Sequence, residues 1–161
     1  MKRLIFILSI SSVLVIILAT YKICFTSKGH FKFYYVRQNL TGIDKELREV
    51  KIDRKTEKVE KAILEEYLLG PLSYKLTLNL PPEVRLQNFY IVRPPKSVDA
   101  VIDFNPEFLN AVEKMDELTI KAMLETLKAN TRIKRVLFLS DGKKIRANIG
   151  KYNLSKFIEL K

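Results

Sequence analysis

Leu4 to Ala19 is apolar apart from Ser9, Ser11 and Ser12, and only Met1, Lys2 and Arg3 precede it. With Thr20 and Tyr21 the stretch reaches 18 residues, which is about the length needed to cross the hydrocarbon of a bilayer. Three readings of this segment are open. In the first it is an uncleaved single-pass anchor, with Tyr21 at the membrane–water interface. In the second it is a cleaved signal peptide, although Leu18-Ala19-Thr20-Tyr21 and Cys24-Phe25-Thr26 offer poor sites for the small residues that such a cut requires. In the third, Cys24 is acylated as in a lipoprotein, although Tyr21-Lys22-Ile23 put a charge where a small or apolar residue is expected. The anchor is the favoured reading. The expected organisation is therefore a membrane or signal-like segment over 1–22, a juxtamembrane linker over 23–30 and one domain over 31–161.

Orientation is a separate question. Lys22, Lys28, Lys32 and Arg37 follow the segment, and counting them literally would hold the domain in the cytoplasm. A very short basic tail before an apolar run is instead the layout of an export signal.

The rest of the chain is strongly basic. No acidic residue precedes Asp44, and setting aside Lys2 and Arg3 leaves 27 of the 29 basic residues against 18 acids, a surplus of nine. Such a surplus favours an acidic partner: anionic lipid, an acidic wall polymer, an acidic protein or, on the cytoplasmic side, nucleic acid. One cysteine and one histidine (Cys24 and His30) rule out an intramolecular disulfide and a structural zinc site of the Cys/His kind. They also leave no Cys/His or Ser/His/Asp constellation for nucleophilic catalysis.

Hydrophobic periodicity predicts a ββαββαββ order. Phe31, Phe33 and Tyr35 alternate at strand period, and Val50 with Ile52 forms the apolar face of a second strand over 47–54. Thr56 is placed to cap a helix ending near Leu69, with Val59, Ile63, Leu64, Tyr67 and Leu68 on one stripe and Gly70-Pro71 as its stop. An extended stretch (76–83) and strands over 85–93 and 98–104 follow. Asp116 is placed to cap a second helix carrying Ile120, Met123, Leu124 and Leu127. A strand over 133–140 then turns at Asp141-Gly142 into a last amphipathic strand with Ile145, Ala147 and Ile149. The expected fold is α+β: a mixed sheet of about five or six strands with two helices on one face.

These segments, from Phe31 to about Ser155, together resemble the GerMN domain of bacterial spore-germination and sporulation proteins, in single copy. The resemblance rests on Phe33-Tyr34-Tyr35-Val36, on the helix 62–69 with its Gly70-Pro71 ending, and on Leu80-Pro81-Pro82-Glu83-Val84-Arg85-Leu86. It rests further on Val101-Ile102-Asp103-Phe104-Asn105-Pro106-Glu107-Phe108 and on Ile133 to Leu139 with Asp141-Gly142-Lys143. It implies structural roles for Gly70, Pro71, Asp103, Phe104, Phe108, Asp141 and Gly142. It also implies a non-catalytic interaction or assembly module on the extracytoplasmic side of the cell membrane. The expected partner is an envelope protein or an anionic wall or lipid surface, with no nucleic acid and no cofactor, and self-association is left open. A cytoplasm-facing nucleic-acid-binding domain and an accessory subunit of a cell-wall-modifying system are the alternatives.

Few residues invite a sharper reading. Asp103 and Glu107 could be paired carboxylates, but the plainer role for Asp103 and Asn105-Pro106 is turn formation. Arg132, Lys134, Arg135, Lys143, Lys144 and Arg146 bracket the last hairpin as a candidate basic interaction patch, against the simpler reading of solvated edge charge. No residue is nominated as catalytic, cofactor-binding or metal-binding.

Overall fold

The computed structural model describes residues 26–53, 58–95 and 97–160. The apolar segment at 4–21, Cys24 and Thr56 lie outside these residues. Among the described residues no helix is long and apolar enough to cross a membrane.

The described residues form an α+β fold with three sheets and three helices. A long antiparallel hairpin opens it, β1 (Thr26–Arg37) with β2 (Ile43–Asp53). Strand β1 thus starts within the stretch expected to be linker, and Phe33 and Tyr35 are fully buried as their period required. Helix α1 (Val59–Leu68) follows. Its N-cap residue is Lys58, which makes no side-chain cap bond. Gly70 takes φ +86°, the left-handed conformation that ends helices at low cost for glycine. Strand β3 is only Leu76–Thr77, much shorter than the extended stretch expected, and it pairs with the end of β1.

The second sheet runs β10–β6–β5–β4, from β4 (Leu86–Val92), β5 (Asp99–Phe104), β6 (Arg135–Ser140) and β10 (Ile158–Glu159). Strands β5 and β6 are parallel and the remaining pairs antiparallel. Between β5 and β6 the chain forms a short helix absent from the sequence expectation, α2 (Glu107–Val112), and then α3 (Glu117–Asn130). Asp116 caps α3 as expected, its Oδ1 accepting from Thr119 N at 2.7 Å.

The last part of the chain departs most from expectation. Where one amphipathic strand was expected, β7 is Lys143–Lys144 alone. The chain then folds into a separate small hairpin, β8 (Asn148–Ile149) with β9 (Tyr152–Asn153), before β10 returns to β6. Ile145 and Ile149 are nevertheless buried. Their alternation reports an inward face, and an irregular segment can supply that face as well as a strand can.

One core joins the two larger sheets and the helices. Phe33, Tyr35, Ile63 and Tyr67 share it with Ile102, Phe104, Phe108, Met123, Leu127 and Phe138. Helix α3 also takes the place of a strand along β1. Tyr34 N donates to Thr126 Oγ1 (2.8 Å) and Lys32 N to Asn130 Oδ1 (2.9 Å), while Asn130 Nδ2 donates to Lys32 O (2.6 Å). These bonds satisfy backbone groups of β1 that β3 is too short to reach.

Candidate interaction surfaces

Asp103 is buried at the end of β5, and both its oxygens are engaged. Oδ1 accepts from Gly142 N at 2.9 Å and Oδ2 from Asn88 Nδ2 at 3.3 Å. It therefore organises the remote Asp141-Gly142 turn, where its own turn with Asn105-Pro106 was expected. Asp141 and Gly142 have φ +52° and +71°, the pair of positive angles that a tight two-residue hairpin demands. Asn105 works in parallel on a second loop: Oδ1 accepts from Arg85 N and Nδ2 donates to Glu83 O. Glu107 is exposed on α2, at the wall of an open groove of about 620 Å³ between 77–81 and that helix. No hydrogen bond joins it to Asp103 among the described residues. His30 is exposed on β1. Among the described residues no three His, Cys, Asp or Glu side chains gather to hold a metal ion.

The six basic residues do not form one patch. Arg132, Lys134 and Arg135 lie at the start of β6, whereas Lys143 and Lys144 pair with its end, opposite Ser140 and Leu139. The partner of Lys144, Leu139, lies four positions along the strand from Arg135, roughly 13 Å. Arg135 is moreover committed elsewhere. Its guanidinium grips the buried Asp99 carboxylate at 3.0 and 2.5 Å and lies 5.2 Å from the centre of the Phe157 ring. The Arg135 hydrogen bonds hold Asp99 below the usual carboxylate range, burial opposing them. Lys143, Lys144 and Arg146 are exposed beside the Asp103-pinned turn, with Lys143 Nζ 3.8 Å from Asp141.

A second anchored loop was not foreseen. Arg48 points inward from β2, on the same face as Val50 and Ile52, and is 6% exposed. It bonds Glu46, the Glu66 carboxylate (3.0 Å) and the Gly70 carbonyl, and it stacks near the Phe33 and Tyr35 rings at 5.2 and 5.5 Å. Burial works against its charge, and the hydrogen bond that it donates to Glu46 leads the contacts that outweigh it. Glu46 in turn accepts from Leu72 N and Ser73 N (3.1 and 3.2 Å). Tyr35 Oη donates between the Tyr67 and Gly70 carbonyls while its ring stacks on Tyr67, 4.9 Å between centroids. Burial drives both tyrosine hydroxyls upward, so they stay neutral; Tyr35 Oη is the donor, whereas Tyr67 Oη has no hydrogen-bond partner among the described residues. The loop after α1 is thus fixed from below while Leu69, Leu72 and Tyr74 project outward at 77–81% exposure. The available sequence signal was the parity of β2: charges at 46 and 48 fall on the inward face, and the apolar Leu47 falls outward.

The comparisons agree with this architecture. The family model for Germane, described as sporulation and spore germination, matches residues 32–146. The chain belongs to the Germane family. The tandem GerMN domains of the sporulation protein GerM from Bacillus subtilis superpose with a TM-score of 0.60 at 17% identity, covering 83% of this chain and 46% of that one. The chain therefore spans less than half of that tandem protein's structure. A protein described as a lipoprotein from Clostridium perfringens gives a TM-score of 0.51 at 21% identity over 83% of this chain and 86% of that one. At these identities the two structures support the fold alone. No curated protein matches the chain.

Proposed function

We propose that this Germane-family chain is a non-catalytic interaction or assembly module of the bacterial cell envelope, anchored by its N-terminal apolar segment with the domain outside the cytoplasm. The observation that carries this reading is the division of labour among its polar groups. The buried charges Arg48 and Asp103 bind backbone groups, and the buried Asp99 binds Arg135. What they leave facing solvent is a firmly held apolar loop, Leu69 to Tyr74. Large apolar side chains displayed on a fixed loop suit contact with a partner rather than turnover of a substrate. Anchoring and topology rest on the apolar run and its basic tail.

Two experiments test it. A C-terminal alkaline phosphatase fusion should be active, and an inactive one would turn the reading towards the cytoplasm. In a complementation assay with protein levels checked, Leu72→Ser with Tyr74→Ser should abolish function while Asp103→Asn preserves it. The reverse outcome in a well-folded protein would overturn the binding-module reading.

A further inference from the structure

Sheet edges expose unpaired backbone groups, and folded proteins block them with charge, shortness or cover. Three of the edges in this fold are blocked. The far edge of β1 is covered by Thr126 and Asn130 of α3. The edge strand β2 carries Asp44, Lys45, Glu46, Arg48, Glu49 and Lys51, and β10 is two residues long. Strand β4 is different. It forms the other end of the second sheet, with β5 as its one neighbour among the described residues. Its seven residues Leu86–Val92 contain no charge, and its one irregularity is a register shift between Leu86 and Asn88.

The central row of the face beside this edge is apolar as well, with the Asp99–Arg135 pair beside Val92 and the Asn88–Asp103 contact at its two ends. Register places Tyr90 next to Val101 and Val101 next to Leu137, a row on the side of the sheet opposite Ile102 and Phe138. Tyr90 and Val92 end this surface at 50% and 48% exposure. Exposed Arg85 and Arg93 stand at the two ends of the strand, and neither makes an ion pair among the described residues. Pro94-Pro95 then prevents the pairing from running further.

We propose that β4 receives an extended segment of a partner protein, paired through its backbone, with apolar side chains beside Tyr90 and Val92 and carboxylates at its ends to meet Arg85 and Arg93. This rests on the reading of the chain as an interaction module and names the surface and the partner chemistry. Charge decides against a second copy of the chain. Two-fold antiparallel pairing about Phe89 would set Arg85 of each copy against Arg93 of the other, and like charges directly opposite destabilise a strand pair.

The test uses the full chain in detergent and three labelled synthetic peptides, read by fluorescence anisotropy. The first alternates Val and Thr over about seven residues, a usual strand length, between glutamates. The second has lysines in place of the glutamates. The third is the first with alternate backbone amides methylated. The glutamate-flanked peptide should bind at least about tenfold more tightly than either of the others. Arg85→Glu with Arg93→Glu should invert the preference for flanking charge. Tyr90→Lys, at an exposed position, should weaken binding about tenfold with an unchanged thermal melt. No binding, equal binding of the methylated peptide, or indifference to the arginine reversal would each overturn the proposal. So would a dimer, seen by sedimentation, that Tyr90→Lys dissolves, because the edge would then belong to a second copy. If the edge fails here while Leu72→Ser with Tyr74→Ser still abolishes function, the interaction-module reading stands without it.

Discussion

The loop from Leu69 to Tyr74 and the turn at Asp141-Gly142 are two exposed features held by buried charge in opposite ways. Under the first lies a cation, Arg48, which gathers carbonyl oxygens and two carboxylates. Under the second lies an anion, Asp103, which accepts from a backbone N–H. The first presents leucines and a tyrosine and the second presents lysines. A helix C-terminus offers unpaired carbonyls and so attracts a cation, whereas a tight turn with two left-handed residues offers an N–H and so attracts an anion. In both places a buried ionisable group holds shape, and its burial is no sign of proton chemistry.

The comparison breaks first at Arg48. Arg48→Met should cost about 3–5 kcal/mol in urea unfolding, because it leaves the Glu46 carboxylate without its cation in a partly buried site and takes one donor from the Gly70 carbonyl. A cost below about 1 kcal/mol would mean that the loop is held by apolar packing alone. Asp103→Ala should cost less, about 1–3 kcal/mol, since one backbone donor and Asn88 lose their partner. Asp103→Asn keeps an acceptor oxygen and should sit below that. If Asp103→Ala exceeds Arg48→Met, the turn is the more firmly coupled feature and the ranking inverts.

The pH dependence sharpens the same contrast. The folded-state pKa of Asp99 is depressed, with the Arg135 hydrogen bonds as the leading cause. Its contribution to stability is therefore complete above the unfolded carboxylate value, about 3.9, and is lost as pH falls through the lower folded value. Asp99→Asn should flatten the acid limb of a plot of melting temperature against pH and leave the neutral-to-alkaline slope alone. An unchanged acid limb would show that the pair contributes nothing to acid stability.

The smallest effect should come from the lysines. Lys143→Glu with Lys144→Glu should leave stability within about 0.5 kcal/mol, both side chains being exposed. Association with vesicles containing anionic lipid should fall at low salt, where attraction is least screened. Unchanged vesicle association would remove the turn as an electrostatic surface.

Much of this division was legible before folding. The stripes of α1 and α3, the stops at Gly70 and Gly142, and the inward positions of β1 and β5 follow from periods of 3.6 and 2 and from backbone sterics. Helix α2 was hidden because its Phe108, Ala111 and Val112 offer too short a stretch to show a period. The end of the chain was misjudged because alternation marks a buried face without requiring a continuous ladder.

The sequence by itself determined the α+β class, the single core and the family, because hydrophobic period and turn chemistry are local properties. Only the tertiary structure decided which polar groups meet. Arg48 finds the end of α1, Asp99 finds Arg135 across parallel strands, and Asp103 finds a turn 39 residues away. It also decided that the six basic residues fall into separate groups and that β4 has a free edge among the described residues. Partners and strand order depend on how the chain returns on itself, and no local pattern encodes that.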